Sequence, residues 1–294
     1  MDRKISYSIL NIGLRVGLGL AMSAGIAKAQ ATPLNTPSAR QVYCSGLVTN
    51  QPVPHDSYII TGENSRYKTT FTTDDYVYIN RGAEQGVKVG DQFEVVRPVS
   101  DIMATTTWFK YQAMLNKAMG TTYADIGRLH VLHVEAKTST AEMDLGCEMM
   151  QRGDIVLPFV ARPAPQFHAV KLDPLAAPSG KKTAMVVTAK DFDVLTGPGR
   201  IVYINLGSAQ GVRVGDYFRI FRYQGTHIET AYQFQDVTYK AFGYGSTPVR
   251  YEWNNLPRQV LGEGIVLRTG PNSATVMVTD ARFEIYAGDY VELE

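Results

Sequence analysis

The sequence predicts an all-β protein: two tandem small antiparallel β-barrels built on a duplicated Gly-Asp-turn module, with one short helix in the first. Three observations carry this. The stretch GVKVGDQFEVVR, beginning at Gly86, returns as GVRVGDYFRIFR at Gly211. Aligned over Val77–Arg97 and Val202–Arg222, thirteen of twenty-one positions are identical, which marks an internal duplication. Within the repeat, Phe93 and Val95 become Phe218 and Ile220, while Gln92 and Glu94 become Tyr217 and Arg219. Apolar positions are kept at a period of two and their neighbours vary, the pattern of a strand with one face in a core. The 294 residues also include 26 Gly and 17 Tyr, with only 19% charged residues. That mix favours a turn-rich β protein of about two domains.

The elements follow in chain order. Residues 1–29 read as a secretory signal peptide: Arg3 and Lys4 precede a mostly apolar, small-residue stretch from Ile9 to Ala27, and Ala27-Lys28-Ala29 fits a cleavage site. The other reading is an uncleaved anchor, against which Arg15 stands in mid-run. No later segment reaches the ~20 apolar residues a spanning helix needs. Removing Asp2, Arg3, Lys4, Arg15 and Lys28 takes the formal charge from +1 to −2. A near-neutral chain without a basic run argues against nucleic acid as a partner. The start at Thr32–Arg40 is expected to be loose.

The first module is assigned to 41–159. VYIN, Val77–Asn80, is a strand, and Gly82 and Gly86 bracket a turn in which Gly86 suits a left-handed conformation. Val87 and Val89 are expected to plug one barrel end. Gly90-Asp91 turns the chain into the next strand, the Asp carboxylate bonding N–H groups just downstream. Gly211, Gly215 and Asp216 repeat this, and Gly-Asp recurs near each module's end as Gly153-Asp154 and Gly288-Asp289. These acids are read as turn-builders rather than catalytic groups. Ile126–Ala136 matches Leu261–Leu267, Ser139–Met143 matches Ser273–Met277, and Tyr58–Thr61 and Met185–Thr188 complete the sheets. Five or six strands per module then close a small barrel.

The copies differ in their insertions. In the first, Trp108, Tyr111, Leu115 and Ala118 recur at helical spacing before Gly120, predicting an amphipathic helix over 106–119. In the second, the insertion 223–260 holds Tyr232, Tyr239, Tyr244, Tyr251 and Trp253. Such residues suit either a local aromatic mini-core or a binding surface for sugar, peptidoglycan or protein. Between the modules, the Pro-rich linker 160–182 reads as extended and stiff, with Phe167, Val170 and Leu172 available to lie on a barrel. The second module is assigned to 183–294.

Two cysteines, Cys44 and Cys147, have two readings: a bridge suited to an oxidising compartment, or two separately buried thiols. His130 and His133 in LHVLHV fall on opposite faces of a strand, so no metal site is expected. Gly197-Pro198-Gly199 is a turn and not a phosphate loop. No cofactor motif and no catalytic constellation is found, and isolated carboxylates cannot be placed across a cleft from sequence.

The motif VYINxGxxxGVxVGDxFxVxR resembles the C-terminal domain of the flagellar assembly protein T family, over Tyr76–Phe159 and again over Ile201–Glu294. Its Gly-Asp turns also resemble the "GD box" of small swapped or cradle-loop barrels. The resemblance implies an exported, non-enzymatic envelope or assembly module. The expected function is therefore a periplasmic or secreted structural or binding protein. Its expected partner is an envelope protein or peptidoglycan, and a barrel-based wall hydrolase is the remaining alternative.

Overall fold

The duplicated motif folds the same way twice. The computed structural model describes residues 35–102, 112–169, 172–224 and 256–294. The first module runs α1 (Ala39–Tyr43), β1 (Leu47–Thr49), β2 (Ile59–Gly62), β3 (Thr70–Phe71), β4 (Tyr76–Ile79), β5 (Gln92–Val99), α2 (Gln112–Met119), β6 (Thr121–Val134), β7 (Ser139–Gly146), β8 (Met150–Gln151) and β9 (Ile155–Pro158). The second runs β10 (Thr183–Ala189), β11 (Leu195–Thr196), β12 (Ile201–Ile204), β13 (Tyr217–Arg222), β14 (Gln259–Thr269), β15 (Ala274–Ala281), β16 (Ile285–Tyr286) and β17 (Tyr290–Leu293).

The second module is a closed antiparallel barrel, β10-β12-β15-β14-β13-β17. The first follows the same path, β2-β4-β7-β6-β5-β9, and a bridge between Tyr58 and Ile155 joins its ends. The alternating residues fill each interior: Val77, Ile79, Phe93, Val95 and Leu129 in one, Val202, Ile204, Phe218, Ile220 and Val266 in the other. Each module also pairs two short strands outside the barrel, β3 with β8 and β11 with β16.

The retained residues of the repeat have the same task in each copy. Gly86 and Gly211 close a 3-10 turn with φ of 81° and 85°. Asn80 and Asn205 each accept the first barrel strand's N–H, from Tyr58 and Met185, at 2.7 Å. At all four Gly-Asp turns the glycine has φ between 85° and 105°. Their carboxylates bond upstream, not downstream as expected: Asp91, Asp154, Asp216 and Asp289 accept from the N–H three residues before, at 2.7–2.9 Å. The left-handed glycine folds the chain back, so the N–H preceding the turn faces the carboxylate. Asp154 and Asp289 do more. Each takes a bidentate guanidinium, from Arg97 and Arg222, the last residues of the two motif copies. These clasps tie β5 to β9 and β13 to β17.

Several expectations need correction. Val87 and Val212 are buried, but Val89 is 66% exposed, so one valine of each pair plugs the barrel. Of the predicted helix 106–119, the described part is Gln112–Met119; residues 106–111 lie outside the described residues. Its inward face is Gln112, Leu115 and Met119, and Ala118 is exposed. The start is not loose where it is described: Ser38 caps α1 in a capping box, and Arg40 donates to the Gly146 carbonyl at 2.7 Å. A bulge between Val131 and His133 shifts the register of β6. His130 then lies opposite Glu142 and His133 opposite Thr140, two positions that share a face of β7, so the two histidines lie on one face after all. They pair separately, with Glu142 and Glu135.

The modules are joined by a buried seam. β5 and β6 of the first barrel overrun the motif, and their overhang, with β1 alongside, lies on the outer face of the second barrel. Val48 and Met119 pack against Val187, Ile201, Tyr203, Ile265, Leu267 and Met277. Tyr203 donates to the Ser45 carbonyl at 3.1 Å, Thr275 to that of Gly46 at 3.1 Å, and Ser273 to that of Val48. At the centre sits Asp125, 3% exposed. It accepts from the Gly46 N–H at 2.8 Å, from Arg162 at 3.2 and 3.3 Å, and from Arg268 at 3.2 Å. Arg162 also reaches Glu94 at 2.5 Å. Burial by itself disfavours the charged guanidinium of Arg162, yet Asp125 and Glu94 outweigh it and hold the group more firmly protonated than usual. Residues 160–182 are thus more than a stiff spacer, since Arg162 belongs to the seam and Phe167 packs on the second barrel.

Two outcomes follow from these buried charges. Asp125→Asn keeps the shape but leaves two arginines facing one carboxylate; it should cost about 3–5 kcal/mol in denaturant unfolding, as for a broken buried pair. Loss of under about 1 kcal/mol would mean that the seam does not depend on this charge. In the second barrel Glu292 is 1% exposed and accepts from Arg258 at 2.5 and 2.8 Å and from Arg219 at 3.1 Å. Burial pushes its carboxyl up, but the bonds and charges of Arg258, Ser179 and Arg219 prevail and hold it below its ordinary 4.5. A depressed folded pKa contributes stability above that ordinary value, lost as pH falls through the folded one. Unfolding followed from neutral to acid pH should show this loss, and Glu292→Gln should flatten that limb.

Candidate functional site

α1, held against the first barrel, faces the second across an open cleft of about 450 Å³. The first module contributes Arg40, Gln41, Glu148 and the Cys44–Cys147 pair; the second contributes Lys190, Asp191, Asp193 and Arg200. The cysteines form a disulfide with Cα atoms 5.4 Å apart, which decides between the two readings of the sequence. Lys190 spans the cleft floor, 2.9 Å from Asp191 and 3.7 Å from Glu148 of the other module. Arg200 is 66% exposed and only 3.9 Å from Asp193, so its guanidinium is largely available. Asp191 and Phe192 are consecutive left-handed residues, with φ of 60° and 58°. Asn64, the counterpart of Asp191 in the first module, is also left-handed, so that conformation belongs to the barrel frame. The one at Phe192 has no counterpart in the first module, and such strain is costly for a bulky residue.

A smaller cavity of about 270 Å³ shares Gln41 and Gly199 with the cleft and is walled by Phe167, His168, Tyr217 and Met277. His168 stacks on Tyr217 at 3.5 Å and meets Glu263 at 2.6 Å. Burial pushes the Glu263 carboxyl up, His168 pulls it back, and the charge of Glu294 adds to the rise. His168, Glu263 and Glu294 lie within 4.8 Å of one another, a donor set of metal-binding type. Each is already engaged, Glu294 with Arg219 at 2.5 Å and His168 with Glu263. Glu263 stands behind His168, not among the cavity's lining residues.

The residues singled out in the sequence divide cleanly. Gly86, Gly90, Asp91, Gly153, Asp154, Gly211, Gly215, Asp216, Gly288 and Asp289 build turns. Tyr232, Tyr239, Tyr244, Tyr251 and Trp253 lie outside the described residues. Arg40, Lys190 and Arg200 carry no sequence signal, since none lies in the repeat and each stands alone among ordinary surface charges. Among the described residues, no helix is long and apolar enough to cross a membrane. No family model matches the chain, and no curated protein is similar to it.

The disulfide anchors one wall of the cleft across 103 residues of sequence. Replacing both cysteines by serine should lower stability by about 2–4 kcal/mol through the freed unfolded chain. A denaturant midpoint unchanged from the oxidised protein would refute that role.

Proposed function

We propose that this chain is an exported cell-envelope protein that works by binding, with the inter-module cleft as its binding surface. The observation that carries this reading is the cleft's construction. Neither module forms it alone, and the seam that brings the walls together engages the buried Asp125 and the half-buried Glu94, Arg162 and Arg268 in structural pairing. What faces solvent is a set of partly free charges: Arg40, Lys190 and Arg200 among Glu148, Asp191 and Asp193. Opposite charges in alternation complement a peptide or protein segment that carries both signs. The signal-peptide pattern and the disulfide both favour the periplasm or the exterior as its location. The resemblance to the flagellar assembly protein T family favours an envelope or flagellum-like assembly as its setting.

Peptidoglycan is the second reading, because its stem peptides also offer carboxylates and amines to such a cleft. The variant Arg200→Glu separates site from fold. Its side chain is 66% exposed and pairs only with Asp193 at 3.9 Å, so thermal unfolding should move by no more than about 0.5 kcal/mol. Recovery of envelope proteins by the immobilised chain, or its sedimentation with purified cell wall, should fall to background. Which of the two assays responds identifies the partner class. Unchanged recovery in both would remove the cleft as the site. Loss of recovery only on deleting 228–255 would assign binding to the Tyr-rich insertion instead.

A further inference from the structure

Among the described residues, every buried carboxylate except Glu263 is matched with a guanidinium. Asp125, Asp154, Asp289 and Glu292 each bond at least one arginine. Glu263, on β14, is 5% exposed, and its carboxylate has one hydrogen-bond partner, the His168 Nε2 at 2.6 Å. Arg219 stands opposite Glu263 in the ladder, yet its guanidinium goes to Glu292 and Glu294. On the other side Glu263 faces Asp280, a like charge that opposes its ionisation. A buried carboxylate so poorly matched is costly in its charged form.

The fold does not require an acid at this place. The strand register sets Glu263 where the first module has Arg128, which pairs with Asp144 at 3.0 Å. The second module therefore buries an acid where the frame accepts a base. Four carboxylates, those of Glu263, Asp280, Glu292 and Glu294, gather around two guanidiniums, those of Arg219 and Arg258. The surplus is two negative charges, met only by one imidazole.

We infer that His168, Glu263 and Glu294 bind one divalent transition-metal ion of the zinc class. Their donor atoms lie within 4.8 Å of one another and come from three parts of the chain: the inter-module segment, β14 and the residue after β17. An imidazole with two carboxylates suits zinc better than magnesium or calcium, which favour oxygen alone. Donors about 2.0–2.1 Å from a tetrahedral zinc stand roughly 3.3–3.4 Å apart. The His168–Glu263 contact then has to open by less than ~1 Å, and the His168 side chain, 46% exposed, has room to do so. The ring is already aimed. It stacks on Tyr217 at 3.5 Å, and the His168 backbone N–H donates to the Tyr217 hydroxyl at 3.0 Å. Such outer contacts fix the orientation of a ligand. The bound ion fastens the inter-module segment to the second barrel. This inference stands apart from the cleft and does not depend on its ligand.

The test titrates zinc into the purified full chain, free of any histidine tag, by calorimetry. One ion should bind per chain with a micromolar or lower dissociation constant, and zinc should raise the thermal unfolding midpoint. Magnesium should do neither. His168→Gln and Glu294→Gln each remove one ligand from a partly exposed position and should still unfold cooperatively. Each should weaken zinc binding about tenfold or more. Either variant that folds is enough to decide. His130→Gln/His133→Gln, which removes the other histidines that meet carboxylates, should leave the affinity unchanged. No zinc binding up to millimolar concentration overturns the inference. So does an affinity that survives either ligand variant, or one that is lost with His130 and His133. Magnesium bound as tightly as zinc would likewise overturn it.

Discussion

Asp125 is where two barrels become one molecule. Its carboxylate is withdrawn from water and satisfied only when three remote pieces of chain arrive together: the backbone at Gly46, the inter-module segment at Arg162 and the second barrel at Arg268. A buried charge left short of partners is expensive, so partial assembly is heavily disfavoured. The net gain in stability from such a network is small. Its effect is on registry, because only one placement of the modules satisfies every donor and acceptor. Gly46 shows how close that placement is: it has φ of +73°, and a Cβ there would stand 2.3 Å from the Tyr203 hydroxyl oxygen. The cleft, the disulfide and α1 all hang from the segment that this contact positions.

Duplication has preserved the interior and diversified the exterior. The glycine turns, the asparagine caps and the Arg-Asp clasps are the same in both barrels, since each answers a demand of the backbone. The outer faces answer to neighbours instead. Where the first copy has Gln92, His130 and Glu142, the second has Tyr217, Ile265 and Met277, and all three of the latter are buried. A surface has become a second core.

Much of the frame was legible in the sequence for that reason. Alternation at the repeat gave the strands, and glycines at fixed offsets gave the turns. The retained Arg97 and Arg222, at otherwise variable polar positions, held the signal for the clasps, and the change from Gln92, His130 and Glu142 to apolar residues held the signal for the covered face. Other features were illegible on physical grounds. The direction of the Asp bonds depends on how tightly the left-handed glycine reverses the chain. The faces of His130 and His133 depend on a bulge, one extra residue in the ladder that no local pattern announces. The seam pairs residues as much as 229 positions apart, Gly46 with Thr275, and its charge pair Asp125–Arg268 joins two residues that each alone are an ordinary charge. The cleft is harder still, since its walls exist only after the modules have docked.

The greasy outer face of the second barrel carries a historical consequence. With Tyr217, Ile265 and Met277 apolar where the first copy carries Gln92, His130 and Glu142, the second barrel by itself would turn a broad greasy face to water, and the first by itself would strand Asp125 without Arg268. Loops and the cleft can change freely, but splitting the gene between the copies would leave two halves each unfit for solution.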